Sequence, residues 1–126
     1  MYYETLHTPA SGGGVSIKVS ATPDMSRITQ FEYALGGGLV YYDISLLDCL
    51  GPGHDASKCP GWADGLLAVG GGSCGNAGRL ECKAKETCEH VNGAYWSPEA
   101  NYTDQAPVRA CKEGEGVSFE LCAGLR

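Results

Sequence analysis

The sequence holds no Cys-x-x-Cys pair, no apolar run near the length of a membrane span, and no basic cluster larger than Lys83-Ala-Lys85. Each absence removes a class of function. Structural zinc sites use closely spaced cysteines or matched Cys and His pairs, and the three histidines, His7, His54 and His90, supply no such spacing. No metal and no cofactor is expected. A helix that crosses a bilayer needs about 20 apolar residues, so no membrane partner is expected either. Nucleic-acid binding exchanges phosphate counterions for Lys and Arg. Here 15 acidic side chains outnumber 9 basic ones, a formal charge of −6, and no nucleic-acid partner is expected. The opening Met1-Tyr2-Tyr3-Glu4 has neither a basic nor an apolar leader region. The expectation is that a leader was removed, or that the chain is a fragment. His54-Asp55 hints at a catalytic triad, but no Gly-x-Ser-x-Gly elbow accompanies it. It reads as turn chemistry.

What is present is glycine and cysteine. The 19 glycines include three Gly-Gly-Gly runs and argue for many turns between strands, because glycine is poor in helices. A chain of 126 residues with 43% apolar content fits one domain with a true core, residues 1–126 as a single unit. The seven cysteines are Cys49, Cys59, Cys74, Cys82, Cys88, Cys111 and Cys122. So many in a short chain imply disulfides and an oxidising, secretory route. A catalytic thiol leaves six of them unexplained. The odd count places one partner outside the chain, or on another molecule. The sequon at Asn101 agrees with secretion and glycosylation.

Hydrophobic alternation then supplies the elements. Val15, Ile17 and Val19 alternate with Ser16, Lys18 and Ser20, the period of a half-buried strand. Phe31, Tyr33 and Leu35 point inward on a second strand, Thr29 to Leu35. Val40, Tyr42, Ile44 and Leu46 do so on a third, Leu39 to Leu47, with Gly36–Gly38 as the turn between. Leu66–Val69 is a short apolar strand. Val117, Phe119 and Leu121 face inward on the last, and Tyr2–Leu6 is a candidate first strand. Between Gly70 and Cys111 the pattern dissolves, so 70–111 reads as a Cys-rich, disulfide-held loop region with one helical turn near Lys83–Glu89. The expected class is an all-β antiparallel β-sandwich.

Parity brings two acids together. Because both inward sets must enter one core, Glu32 and Asp43 share the outer face of the hairpin. A two-residue turn is expected to set Glu32 opposite Tyr41 and diagonal to Asp43; a four-residue turn sets it opposite Asp43. In either case the Cβ atoms lie roughly 5–8 Å apart. Mutual repulsion should raise one pKa. Asp48 follows at the strand end, and Tyr41 lies on the same face. The plain alternative is a solvated polar face. Trp62, Tyr95 and Trp96 fall in loops, either as sugar-stacking platforms or as packing beneath a disulfide.

The segments Tyr3-Glu4-Thr5, Gly12 to Lys18, Thr29-Gln-Phe-Glu-Tyr33 and Tyr41-Tyr-Asp43, with the run on to Asp48, resemble the fungal thaumatin-like proteins, including the yeast-phase-specific antigens. The likeness is strongest from residue 2 to 48 and looser from 60 to 110. It implies a thaumatin-like sandwich whose first strands precede this chain and carry the missing partner of Cys122. It further implies the pairs Cys74–Cys111 and Cys82–Cys88, which leaves Cys49 to Cys59. Plant relatives carry an acidic cleft of one Arg, one Glu and three Asp. Glu32, Asp43 and Asp48 match three of these positions and Glu99 stands near a fourth. The Arg has no counterpart, though His7 lies about where it should be. The function implied is a monomeric extracellular or cell-wall-associated protein. Its acidic cleft would bind β-glucan, another cell-wall polysaccharide or a host protein without catalysis. The alternatives are a weak endo-β-1,3-glucanase, with Glu32 as general acid and Asp43 as nucleophile or base, and a secreted effector or enzyme inhibitor.

Overall fold

A computed structural model describes residues 2–96 and 106–125. The alternating segments form strands, and each pairs with antiparallel neighbours. They are β1 (Val15–Ser20), β2 (Ile28–Gly36), β3 (Leu39–Ser45), β4 (Leu66–Gly70), β5 (Arg79–Cys82), β6 (Arg109–Lys112) and β7 (Val117–Leu121). One sheet has the order β1-β2-β3-β6 and the other β5-β4-β7. Among the described residues the only helices are short 3-10 turns. The two sheets pack face to face as an all-β sandwich.

The core is the inward half of each alternation. Val40, Tyr42, Ile44 and Leu46 are fully buried, with Phe31 and Tyr33 beside them. They meet Leu66 and Ala68 of β4, Leu80 and Cys82 of β5, and Phe119 of β7. Phe31 stacks on Phe119 across the two sheets, centroids 4.7 Å apart. Each such large apolar side chain stabilises the fold by about 1.5–3 kcal/mol through burial.

A covalent bolt joins the sheets. Cys111 on β6 is bonded to Cys74, in the turn Gly72–Gly78 that leads into β5. The Tyr42 hydroxyl donates to the Gly78 carbonyl and lies 3.2 Å from Cys111 Sγ. The other disulfides are Cys49–Cys59 and Cys82–Cys88, and Cys122 is an exposed free thiol.

Several expectations need correction. Tyr2–Leu6 is not a strand. It is held by side chains instead, with the Tyr33 hydroxyl donating to Glu4 Oε1 at 2.9 Å. β3 ends at Ser45, because the Leu46 N–H turns to the Tyr95 carbonyl. No helical turn forms at Lys83–Glu89. The Glu86 N–H closes a tight turn on the Lys83 carbonyl, Lys85 is left-handed at φ 60, and the Cys82–Cys88 bond holds the chain in that bend. The 70–111 region also contains two strands, β5 and β6. Leu121 is 37% exposed at the end of β7 rather than buried.

Candidate functional site

The site begins with a turn. Gly37 and Gly38 have φ of 60° and 80°, the two left-handed residues of a type I′ hairpin, which glycine enters without steric cost. This two-residue turn pairs Gly36 with Leu39, and therefore Glu32 directly with Asp43. The pairing of Glu32 with Tyr41, expected for a two-residue turn, is overturned. That register needs a turn centred one residue earlier.

Ser16 of β1 pairs with Glu32 on its other side, so Ser16, Glu32 and Asp43 form one row across three strands. The next row is Lys18, Gln30 and Ser45. On the opposite flank, Ala34, Tyr41 and Ala110 form a third. The face is closed at one end, where Gln30 is 8% and Ser45 3% exposed, and open at the other, where Tyr41 is 43% exposed. Gly14, Ser16, Glu32, Tyr41, Asp43 and Val108 line a shallow depression of about 340 Å³ at the open end.

The electrostatics follow from this placement. Asp43 is half-buried, and its Oδ1 has no hydrogen-bond partner among the described residues. Burial, the hydrogen bond it shares with Glu32 and the charge of Glu32 push its pKa up to about 8. Asp43 therefore holds its proton well above the ordinary carboxylate range. Among the described residues no cation is paired with either acid. Arg109 pairs with Tyr42 in the ladder, which turns it to the other face, and it donates to Asn92 Oδ1 there.

Asp48 is not in direct contact with the pair. It accepts a 2.6 Å hydrogen bond from Gln30 Nε2, and Gln30 Oε1 accepts one from Ser16 Oγ at 2.7 Å. This Ser16–Gln30–Asp48 chain runs beside the carboxyl pair. Gln30 was not singled out by sequence reasoning. Its signal was available: it lies two residues before Glu32, on the same face of the same strand.

The remaining candidates fall elsewhere. Glu99 and Asn101 lie outside the described residues. His7 Nδ1 sits 3.3 Å from the hydroxyl of Tyr33, an inward residue, so it is not beside the carboxyl pair. Asp55 caps its own turn by accepting from the Ser57 N–H and hydroxyl, which hold its pKa low. The Trp62 and Trp96 rings meet edge to face at 6.3 Å, and their N–H groups donate to the carbonyls of Glu86 and His54. They brace the loops. Among the described residues no group of three His, Cys, Asp or Glu could hold a metal, and no helix is long and apolar enough to cross a membrane.

A family model described as Bys1, Blastomyces yeast-phase-specific protein, matches residues 1–58. The secreted thaumatin-like protein calA of Emericella nidulans is 40% identical over 121 residues, covering 95% of this chain. The chain is similar to the fungal thaumatin-like proteins. The antigenic thaumatin-like protein of Arthroderma benhamiae is 29% identical over 127 residues, 96% of the chain. The chain spans 61% of the first of these thaumatin-like relatives and 53% of the second. No solved structure matches it. The matched range 1–58 contains the hairpin and all three acids, Glu32, Asp43 and Asp48.

Proposed function

We propose that this chain is part of a secreted fungal thaumatin-like protein that binds a neutral cell-wall polysaccharide, of the β-1,3-glucan type, on the outer face of β1–β3 without hydrolysing it. The observation that carries this reading is the juxtaposition of an exposed ring, Tyr41, with a hydrogen-bonding row, Ser16, Glu32 and Asp43, around one open depression. A pyranose ring presents an apolar face that stacks on an aromatic and hydroxyls that need donors and acceptors together. Tyr41 offers the first. The acid pair offers acceptors for the second, among them Asp43 Oδ1, which has no partner among the described residues.

The same geometry weighs against hydrolysis. Glycosidases hold their carboxyl groups roughly 5–5.5 Å apart for retention and about 6.5–9.5 Å apart for inversion, with the sugar or a water between. Glu32 and Asp43 are instead direct cross-strand neighbours, side by side on one sheet face and not opposed across a cleft. Secretion is carried over from the name of the Emericella relative and agrees with the three disulfides. The test is co-sedimentation with insoluble β-1,3-glucan. Wild type should pellet with the glucan, and Glu32→Gln should lose most of that binding with its melting curve intact. Equal sedimentation of the two proteins would refute the reading.

A further inference from the structure

Among the described residues no cation is paired with Glu32 or Asp43. From β2 it is met by Glu32, with Gln30 and Ala34 in the adjoining rows. Along β3 its same-face neighbours are Tyr41 and Ser45, and Ser45 bridges Tyr95 of the segment beyond. From the β6 side come Val108 and Ala110. Beyond Glu32 stands Ser16, whose hydroxyl proton is committed to Gln30. Lys18 faces Gln30 one row away, Asp48 is engaged by Gln30, and Arg109 is on the opposite face. Cross-strand partners hold their Cβ atoms about 4.5–5.5 Å apart, so the register keeps the two carboxyls within reach of each other.

We propose that the Glu32–Asp43 pair is a one-proton latch on the ligand face, closed and binding-competent while it shares a proton, open and non-binding once the proton is lost. The inference rests on the binding reading above and adds its regulation. In the closed state the pair carries one negative charge and one O–H···O bond. Hydroxide removes the Asp43 proton as water and leaves two carboxylates opposed across β2 and β3. Like charges at that separation repel, and the buried Oδ1, unpartnered in the closed state, then seeks water. The two side chains must swing apart, into the depression that the ligand would fill. The elevated pKa of Asp43 places this event at mildly alkaline pH, so the face is fully armed in acidic and neutral surroundings. If only the protonated pair binds, affinity falls about thirty-fold between pH 6.5 and 9.5.

Two readouts test this. Carboxyl 13C NMR on the free protein follows Asp43 directly, and glucan retention at pH 6.5 and 9.5 follows the ligand. The expected result is an Asp43 titration on the alkaline side of neutrality, with the backbone amides of Ser16, Ala34 and Tyr41 moving in step. Wild-type retention should drop about thirty-fold. In Asp43→Asn the ratio between the two pH values should stay within about two-fold, whatever its absolute retention, because no proton is left to lose. An Asp43 that titrates in the ordinary carboxylate range overturns the latch. So does an equal alkaline loss in Asp43→Asn. Failure of the glucan to bind at any pH defeats the ligand reading alone, and the carboxyl titration still decides the latch.

Discussion

Gly70→Ala is the perturbation that most sharply tests how the two sheets are held. A Cβ at Gly70 would lie 2.2 Å from Cys111 Sγ, 2.8 Å from Cys111 Cβ and 2.9 Å from the Tyr42 hydroxyl. None of these atoms can give way cheaply. The sulfur is bonded to Cys74, and fully buried Tyr42 donates to the Gly78 carbonyl. The conflict is one of space, since the φ of Gly70 is not in the left-handed region. If the disulfide survives, the sheets must part, and overpacking costs about 1–3 kcal/mol. If the disulfide fails to close, a loop with a sequence separation of 37 loses its constraint. The chain-entropy estimate for a loop of that length is about 4 kcal/mol. For a domain of this size each kcal/mol moves the melting temperature by roughly 3–5 °C, so a fall of about 10 °C is expected. Differential scanning calorimetry with a thiol count on the folded protein separates the two routes. Gly114→Ala is the control: its Cβ meets nothing within 4 Å, so it should stay within about 0.5 kcal/mol of wild type. A Gly70→Ala protein with all three disulfides and a melting point within about 3 °C of wild type would refute the packing described. The consequence reaches the site, because the bolted strand β6 lies beside β3 and Val108 walls the depression.

Three further outcomes are expected. The raised pKa of Asp43 means that the folded state holds a proton which the unfolded chain releases near pH 4, so stability is greatest below that pH and declines as pH rises through about 8. The slope in that window approaches about 1.4 kcal/mol per pH unit at most; urea melts from pH 5 to 9 should show the decline in wild type and little of it in Asp43→Asn. Tyr41→Ala removes the exposed ring from the binding face and should lower glucan retention about ten-fold with less than about 0.5 kcal/mol change in stability, read by sedimentation beside thermal melts. Peptide mapping of the unreduced chain should recover 49–59, 74–111 and 82–88, with Cys122 alkylated, and Cys122 bonded to any of the other six would contradict the fold.

The legibility of this protein divides along strand length. β2 and β3 are long, with inward residues Phe31, Tyr33, Val40, Tyr42 and Ile44, and their alternation alone places the acids on one face. β5 and β6 have four residues each, and their inward positions include Cys82 and Cys111, which read as disulfide partners before they read as core. A strand that short is defined by its neighbour, not by its own pattern. The turn shows a different limit. A run of Gly36–Gly38 permits more than one turn centre, and the choice of Gly37–Gly38 comes from the register of the packed core. Gln30 shows a third: a buried amide on a polar face is explained only by Asp48 and Ser16, which reach it from other segments. The two tryptophans look like candidate sugar platforms in sequence, and their N–H bonds to Glu86 and His54 carbonyls show them as braces instead.

The most direct test of the binding face is a titration of 15N-labelled protein with a soluble β-1,3-gluco-oligosaccharide, followed by amide shift mapping. The largest shifts are expected at Ser16, Glu32, Ala34, Tyr41, Asp43 and Val108, all around one depression. Shifts confined to the groove of Arg79, Lys83 and His90 on the other sheet, or no shift at any concentration, would contradict the account.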